Sequence, residues 1–208
     1  ISPNNIYDRS ETYPARRFLE QYHDQINFFT YGGVPSSPKP LPEATLKTRV
    51  ERAVKVHEWA KESGRLGTGY VYLYDELGFN LESLDGARQV MGALHKAMPD
   101  AKFMQTSFPD PRFDTLFNVW CPLFGQFAIA DHRAKLEEKR REGHEIWWYA
   151  ADSPTKPCPN FFLDHPVFDC RIIATLSWMY KVDGVLYWCI NREWATNVSE
   201  KERWPEGE

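Results

Sequence analysis

The chain has 208 residues, of which 42% are hydrophobic and 26% are charged, and this balance excludes a disordered chain. The formal net charge is −4 with both signs interspersed, which argues against a nucleic-acid backbone or an anionic membrane as the partner. No stretch approaches the roughly 20 apolar residues that span a bilayer. Eight Trp, ten Tyr and thirteen Phe indicate either a bulky core or flat rings that stack on sugars.

Blocks of apolar residues with strand-like and helix-like spacing alternate along the chain. The spacing predicts strands over residues 26–31, 70–74, 102–106, 116–121, 145–149 and 184–190. It predicts helices over residues 16–23, 43–62, 84–97, 132–141 and 166–180. Residues 34–42 contain four prolines, which remove backbone donors and predict a loop.

This alternation predicts right-handed crossovers and a parallel α/β sheet with helices outside it. Both a doubly wound sheet and a (β/α)8 TIM-type barrel satisfy the pattern. No G-x-G-x-x-G or G-x-x-x-x-G-K-[ST] follows a predicted strand, and polar or aromatic residues lie at most strand ends, so we favour the barrel. With six strands instead of eight, residues 1–208 are expected to be the C-terminal portion of a (β/α)8 catalytic domain that lacks its first strands.

The chain begins at Ile1 without a methionine, and we expect further sequence upstream. Its first residues lack the charged and apolar regions of a signal peptide. The cellular location of the protein stays open, and we favour a secreted or periplasmic one.

Asp75 and Glu76 end the second predicted strand, where the catalytic mouth of a parallel barrel lies. Adjacent strand residues point to opposite faces, so both carboxylates reach one ligand only if the strand breaks there. Gly78 is expected to supply the flexibility for that break. Paired carboxylates are the groups that sugar transfer requires, and a helix N-cap role is the alternative.

Aromatic and polar side chains also gather at other strand ends. Such a surface suits a sugar ring, which offers C–H groups to stack and hydroxyls to bond, although a core role for each tryptophan is the alternative. The candidate substrate-binding residues are Tyr74, Asn118, Trp120, Trp148, Tyr149, Trp188, Asn191 and Trp194.

The histidines and cysteines show no metal-ligand spacing. There is no H-E-x-x-H, and the four cysteines form no C-x-x-C. We therefore expect neither a metal nor another cofactor.

Five ordered blocks of the sequence resemble the catalytic domain of glycoside hydrolase family 123, the β-N-acetylgalactosaminidases. The blocks are Tyr72–Glu76, Phe117–Pro122, Ile146–Tyr149, Asn160–Asp164 with Arg171, and Asp183–Trp188 with Asn191 and Trp194. The resemblance implies an N-terminal β-sandwich followed by a (β/α)8 barrel. It also implies that a glycan is the substrate.

The resemblance further implies a retaining, substrate-assisted reaction, in which the 2-acetamido oxygen of the substrate attacks the anomeric carbon. Asp75 would then orient the acetamido group, and Glu76 would act as the acid and base. Many members of the family have Asp at the position of Asn118 and Pro at the position of Leu77. Both departures bear on which sugar is preferred.

Two alternatives stay open. One is a retaining glycosidase in which Asp152 or Glu145 acts as a direct nucleophile. The other is a sugar-binding protein on the same scaffold that has lost catalysis, which the neutral Asn118 makes conceivable.

Overall fold

A computed structural model describes residues 21–22, 25–31, 37–162 and 164–187, and the structural statements below refer to these ranges. They contain six strands: β1 (Phe29–Thr30), β2 (Gly69–Tyr72), β3 (Phe103–Gln105), β4 (Val119–Trp120), β5 (Glu145–Ala150) and β6 (Gly184–Tyr187). They also contain four α-helices: α1 (Glu43–Glu62), α2 (Leu84–Ala97), α3 (Ala130–Arg141) and α4 (Val167–Met179). Short 3-10 turns occupy Leu66–Thr68, Leu81–Ser83, Asp114–Leu116 and Phe124–Ala128.

All neighbouring strands pair in parallel, in the order β1-β2-β3-β4-β5-β6. Each observed strand overlaps a predicted one, so the α/β alternation and the six strand positions are confirmed. The order never reverses, which distinguishes the sheet from a doubly wound one. The predicted helix over residues 16–23 lies outside the described residues, apart from Gln21 and Tyr22.

The prediction of a (β/α)8 barrel is wrong for this structure. The described strands form one open, six-stranded half-barrel sheet in which β1 and β6 are the two edges. Hydrophobic spacing identifies each strand and helix, but closure depends on strand number and stagger, which spacing does not encode.

The two faces of the sheet carry different cores, because successive strand side chains point to opposite sides. One face packs against the helices: Phe103, Trp120 and Trp148 belong to the same buried cluster as Met91 and Leu94 of α2. The other face carries a smaller cluster, formed by Tyr70, Met104, Val119, Cys121, Trp147 and Tyr149. We call these the helix face and the open face.

Glycine 184 allows β6 to lie against β5. A Cβ at Gly184 would come within 2.4 Å of the Trp147 ring, so a larger residue would separate the strands.

Among the helices of the described ranges, none combines the length and apolar character that a membrane crossing requires.

Phe103→Ala is expected to lower the free energy of unfolding by about 3–5 kcal/mol, because the ring is fully buried on the helix face and its loss leaves a cavity. Phe79→Ala is the matched control, because that ring is 82% exposed and should contribute little to stability. Urea denaturation of both variants measures the difference, and equal losses would contradict this account of the core.

Candidate active site

The backbone changes direction between the two carboxylates that follow β2. Glu76 has a φ of 45°, in the left-handed region that costs a non-glycine residue about 1–2 kcal/mol. β2 has already ended at Tyr72, and with this left-handed residue beyond it, Asp75 and Glu76 line the same cavity. The break lies at Glu76 itself and not at Gly78, which has no positive φ. Residues in such sparsely populated conformations cluster at active sites.

Three consecutive side chains at the end of β3 hold this turn. Gln105 accepts a hydrogen bond from the amide of Leu77 at 3.1 Å and donates one to the carbonyl of Tyr74 at 3.0 Å. The hydroxyls of Thr106 and Ser107 each accept a backbone amide at 2.9 Å, from Glu76 and Gly78 respectively. These side chains replace the ladder of the sheet where β2 leaves it, so the amides of the turn remain paired.

Asp75 is fixed through one of its two carboxylate oxygens. Its Oδ1 accepts hydrogen bonds from the Tyr72 hydroxyl at 2.5 Å and the Thr106 hydroxyl at 3.0 Å. No described residue donates a hydrogen bond to Oδ2. Burial, and then the hydrogen bond to Asp75, raises the pKa of Tyr72, so its hydroxyl keeps its proton at neutral pH.

Glu76 is held in the same way from the opposite side of the cavity. The Tyr149 hydroxyl donates a hydrogen bond to Oε1, and no described residue donates one to Oε2. Burial, and then the bond to Glu76, raises the pKa of Tyr149. The helix-cap alternative for the pair is wrong, because Ser83 is the N-cap of α2.

Two adjoining cavities share Glu76 in their lining. The first cavity, of about 260 Å³, is lined by Tyr72, Asp75, Glu76, Thr106, Tyr149, Ala151, Asp152 and Leu186. The second cavity, of about 270 Å³, is lined by Glu76, Phe79, Thr106, Ser107, Phe108, Pro122, Leu123, Gln126, Tyr149, Ala151, Asp152 and Ser153. Each approaches the lower end of the volumes typical of small-molecule sites, about 300 Å³.

Of the substrate-binding candidates, the structure brings Tyr149 to the pair. Tyr74, Trp120 and Trp148 lie in the buried cluster of the helix face and do not line either cavity. The Tyr74 hydroxyl donates to the carbonyl of Ser37 at 3.2 Å. For Trp120 and Trp148 this inward direction follows from strand alternation, which places the adjacent Val119 and Tyr149 on the open face. Tyr74 lies beyond the end of β2, and its ring joins the cluster of the helix face.

Asn118 lies at the opposite end of the sheet from the pair. Its side chain accepts a hydrogen bond from the amide of Phe103 at 2.7 Å and donates one to the carbonyl of Ala101 at 3.2 Å. It thereby joins the starts of β3 and β4. Three further candidates, Trp188, Asn191 and Trp194, lie outside the described residues.

Several cavity residues had not been singled out from the sequence as site residues: Tyr72, Phe79, Thr106 and Gln126. Tyr72 and Thr106 could have been found from position, because each lies at or just after the carboxyl end of one of two neighbouring parallel strands, where a site is expected. Phe79 and Gln126 lie in turns, where no periodicity indicates direction.

The two alternative nucleophiles are placed differently. Asp152 lines both cavities beside Glu76. Glu145 begins β5 at the end remote from the cavities and pairs with Lys102 at 2.5 Å. Within the described ranges, no group of three His, Cys, Asp or Glu residues is arranged to hold a metal ion.

Paired carboxylates that share a cavity are the groups that most glycoside hydrolases use. Residues 51–207 match the family model described as the catalytic domain of glycoside hydrolase 123. The match covers well over half of the chain, and the chain belongs to this family. No curated protein sequence matches the chain.

Glu76→Gly is expected to be more stable than Glu76→Ala by about 1 kcal/mol, because only glycine adopts a positive φ without strain. The matched pair Glu58→Gly and Glu58→Ala, on the exposed side of α1, should show the opposite order, since glycine weakens a helix. Thermal denaturation of the four variants measures both differences. The same order at the two positions would contradict the left-handed turn.

Proposed function

We propose that the chain hydrolyses β-linked N-acetylgalactosamine, at a terminal or internal position, with retention of configuration and with the 2-acetamido group of the substrate as the nucleophile. The observation that carries this proposal is that the two carboxylates are held in the same way. Each has one oxygen fixed by a tyrosine and the other without a donor among the described residues. Two oriented oxygen atoms are therefore available to one substrate in the first cavity.

In the first step, Asp75 Oδ2 accepts a hydrogen bond from the acetamido N–H and orients the group. The acetamido oxygen attacks the anomeric carbon, the glycosidic C–O bond breaks, and Glu76 donates its proton to the departing oxygen. The sugar becomes a cyclic oxazolinium ion, whose positive charge the Asp75 carboxylate stabilises. Closure of this ring makes an enzyme nucleophile unnecessary.

In the second step, a water molecule occupies the position that the leaving group has vacated. Glu76 is now ionised and takes a proton from the water molecule, while the oxygen of that water attacks the anomeric carbon. The oxazolinium ring opens, and the proton from water returns Glu76 to its protonated state. Two inversions at the same carbon leave the β configuration unchanged.

The tyrosines and Thr106 support this division of roles. Because Tyr72 and Tyr149 keep their protons at neutral pH, they act as fixed donors, and the carboxylates need no reorganisation when charge develops. Thr106 contacts both halves of the pair: it donates to Asp75 and accepts the amide of Glu76. It is a positioning residue in the proposal.

One observation favours a second candidate, a retaining glycosidase with a direct carboxylate nucleophile. Asp152 lines the first cavity together with Glu76, which is the arrangement that such an enzyme requires. This enzyme would cleave glycosides that lack a 2-acetamido group. A thiazoline that mimics the cyclised intermediate would inhibit the substrate-assisted enzyme and leave this alternative active.

Glu76→Gln is expected to lower kcat on an aryl β-N-acetylgalactosaminide by about 100- to 10,000-fold, the range that general acid catalysis contributes. Asp75→Asn should lower kcat by about 100- to 1000-fold, because it removes the negative charge beside the oxazolinium ion. The matched controls are Glu82→Gln and Asp85→Asn, which are exposed and line neither cavity. Steady-state kinetics of the four variants test the assignment. It fails if unaltered protein turns over no 2-acetamido glycoside, or if binding persists without turnover and is unaffected by Glu76→Gln.

Thr106→Val is expected to lower kcat about 10- to 100-fold with a smaller change in KM, because two hydrogen bonds to the pair are lost. Thr106→Ser keeps the hydroxyl and should restore most of the activity. Thr68→Val removes a comparable hydroxyl, bonded to the carbonyl of Arg65 at 2.9 Å, and should leave kcat unchanged. A loss in Thr106→Ser as large as that in Thr106→Val would contradict the role given to the hydroxyl.

A further inference from the structure

His144 immediately precedes β5, at the end of the sheet remote from the cavities, and it bonds to a buried ring of β4. The indole N–H of Trp120 donates a hydrogen bond to Nδ1 of His144 at 3.0 Å, and the two rings stack with their centroids 6.4 Å apart. An indole nitrogen can only donate, so Nδ1 accepts and carries no proton. The proton of the neutral ring is on Nε2, which lies 3.7 Å from the Glu142 carboxylate. The bond to Trp120 therefore exists only while His144 is neutral.

Protonation of His144 removes the acceptor that Trp120 uses. The imidazolium ion carries a proton on each ring nitrogen, so no orientation of the ring can accept the indole N–H. Trp120 is fully buried, and its N–H would lose its partner in a place that water does not reach. A buried donor without a partner raises the free energy of the folded state and leaves that of the unfolded chain unchanged.

The charged groups that face the His144 ring come from the elements packed against it: Lys139 of α3, Glu142 in the turn after α3, and Asp114 of the 3-10 turn before β4. Lys139 bonds to both carboxylates, at 3.3 Å to Asp114 and at 2.8 Å to Glu142. Burial, and then the Lys139 ammonium, lowers the pKa of His144, whereas Glu142 and Asp114 act in the opposite direction. The net effect is a lowered pKa, so the folded state favours the neutral ring.

Trp120 connects this histidine to the turn that carries the two carboxylates. It is paired in register with Gln105 of β3, and the next residue, Cys121, donates its amide to the Gln105 carbonyl at 2.8 Å. The side chain of Gln105 bonds to the backbone of that turn at Tyr74 and Leu77. A displacement of Trp120 thus acts on the strand that holds the turn.

We propose that His144 is an acid-sensitive switch: its protonation breaks the hydrogen bond to Trp120 and destabilises β4 and β3, the strands that support the turn with the two carboxylates. The switch lies outside both cavities and goes beyond the proposed function. It concerns the stability of the fold, so it can be tested whether or not the proposed reaction is correct.

The stability contribution of the switch depends on pH in one direction. The unfolded chain has the ordinary histidine pKa of about 6.5, and above this pH the ring is neutral in both states and the bond contributes fully. As the pH falls below this value, the unfolded chain takes up a proton that the folded chain resists. Stability is therefore lost on acidification until the pH reaches the lowered pKa of the folded state.

Urea denaturation of the full chain at about pH 7.5 and about pH 5.5 tests the switch. His144 is expected to contribute up to about a tenfold rise in the unfolding equilibrium constant between these two conditions. His144→Asn keeps an acceptor near the position of Nδ1 and takes up no proton in this range. Its unfolding constant should therefore rise less than that of the unaltered protein, by up to the same factor.

His95→Gln is the matched control. Nε2 of His95 donates a hydrogen bond to the carbonyl of Leu116 at 2.8 Å, and a protonated ring makes the same bond. Glutamine keeps a donor there, so this variant should not reduce the rise on acidification. An equal rise in His144→Asn and the unaltered protein, or an equal reduction in His95→Gln, would overturn the proposal.

A second measurement needs no variant and keeps the proposal testable if His144→Asn does not fold. NMR of the ¹⁵N-labelled histidine rings in the unaltered protein reports which nitrogen of His144 carries the proton. At about pH 7.5 the expected result is a proton on Nε2 and none on Nδ1. A proton on Nδ1 at this pH would overturn the switch, because Trp120 would then have no acceptor there.

Discussion

Two adjacent carboxylates can serve one substrate only if the backbone leaves the strand conformation between them. In this chain Glu76 has a left-handed φ, and hydrogen bonds from Gln105, Thr106 and Ser107, at and just after the end of β3, hold the turn. The conformation is unfavourable in isolation, so the hydrogen bonds from β3 must compensate for it. The site therefore depends on β3 as much as on the residues that carry the charges.

The same arrangement explains how two chemically similar groups can take different roles. Tyr72 and Thr106 fix Asp75 on the side of the first cavity, whereas Tyr149 fixes Glu76 at the boundary of both. In the proposed reaction, this difference in position makes Asp75 the orienting anion and Glu76 the acid and base. Fixed donors of this kind give the preorganisation that catalytic constellations require.

The sequence predicted the order of strands and helices because apolar spacing reports local structure directly. That Asp75 and Glu76 line one cavity could also be expected, since the end of a buried strand in a parallel sheet is a strong positional signal. The directions of Trp120 and Trp148 could not be predicted, because in a strand buried on both faces aromatic residues occupy alternate positions on either side. Likewise, the left-handed turn at Glu76 depends on hydrogen bonds from residues that lie about 30 positions later in the chain. Local propensity carries no information about such distant contacts.

The most direct test of the account is a crystal structure of the chain with a thiazoline mimic of the oxazolinium intermediate. We predict that the inhibitor occupies the first cavity, with its ring nitrogen within hydrogen-bond distance of Asp75 Oδ2 and with Glu76 beside the anomeric carbon. An inhibitor whose ring nitrogen contacts Asp152, or which binds outside the first cavity, would contradict the roles assigned to Asp75 and Glu76.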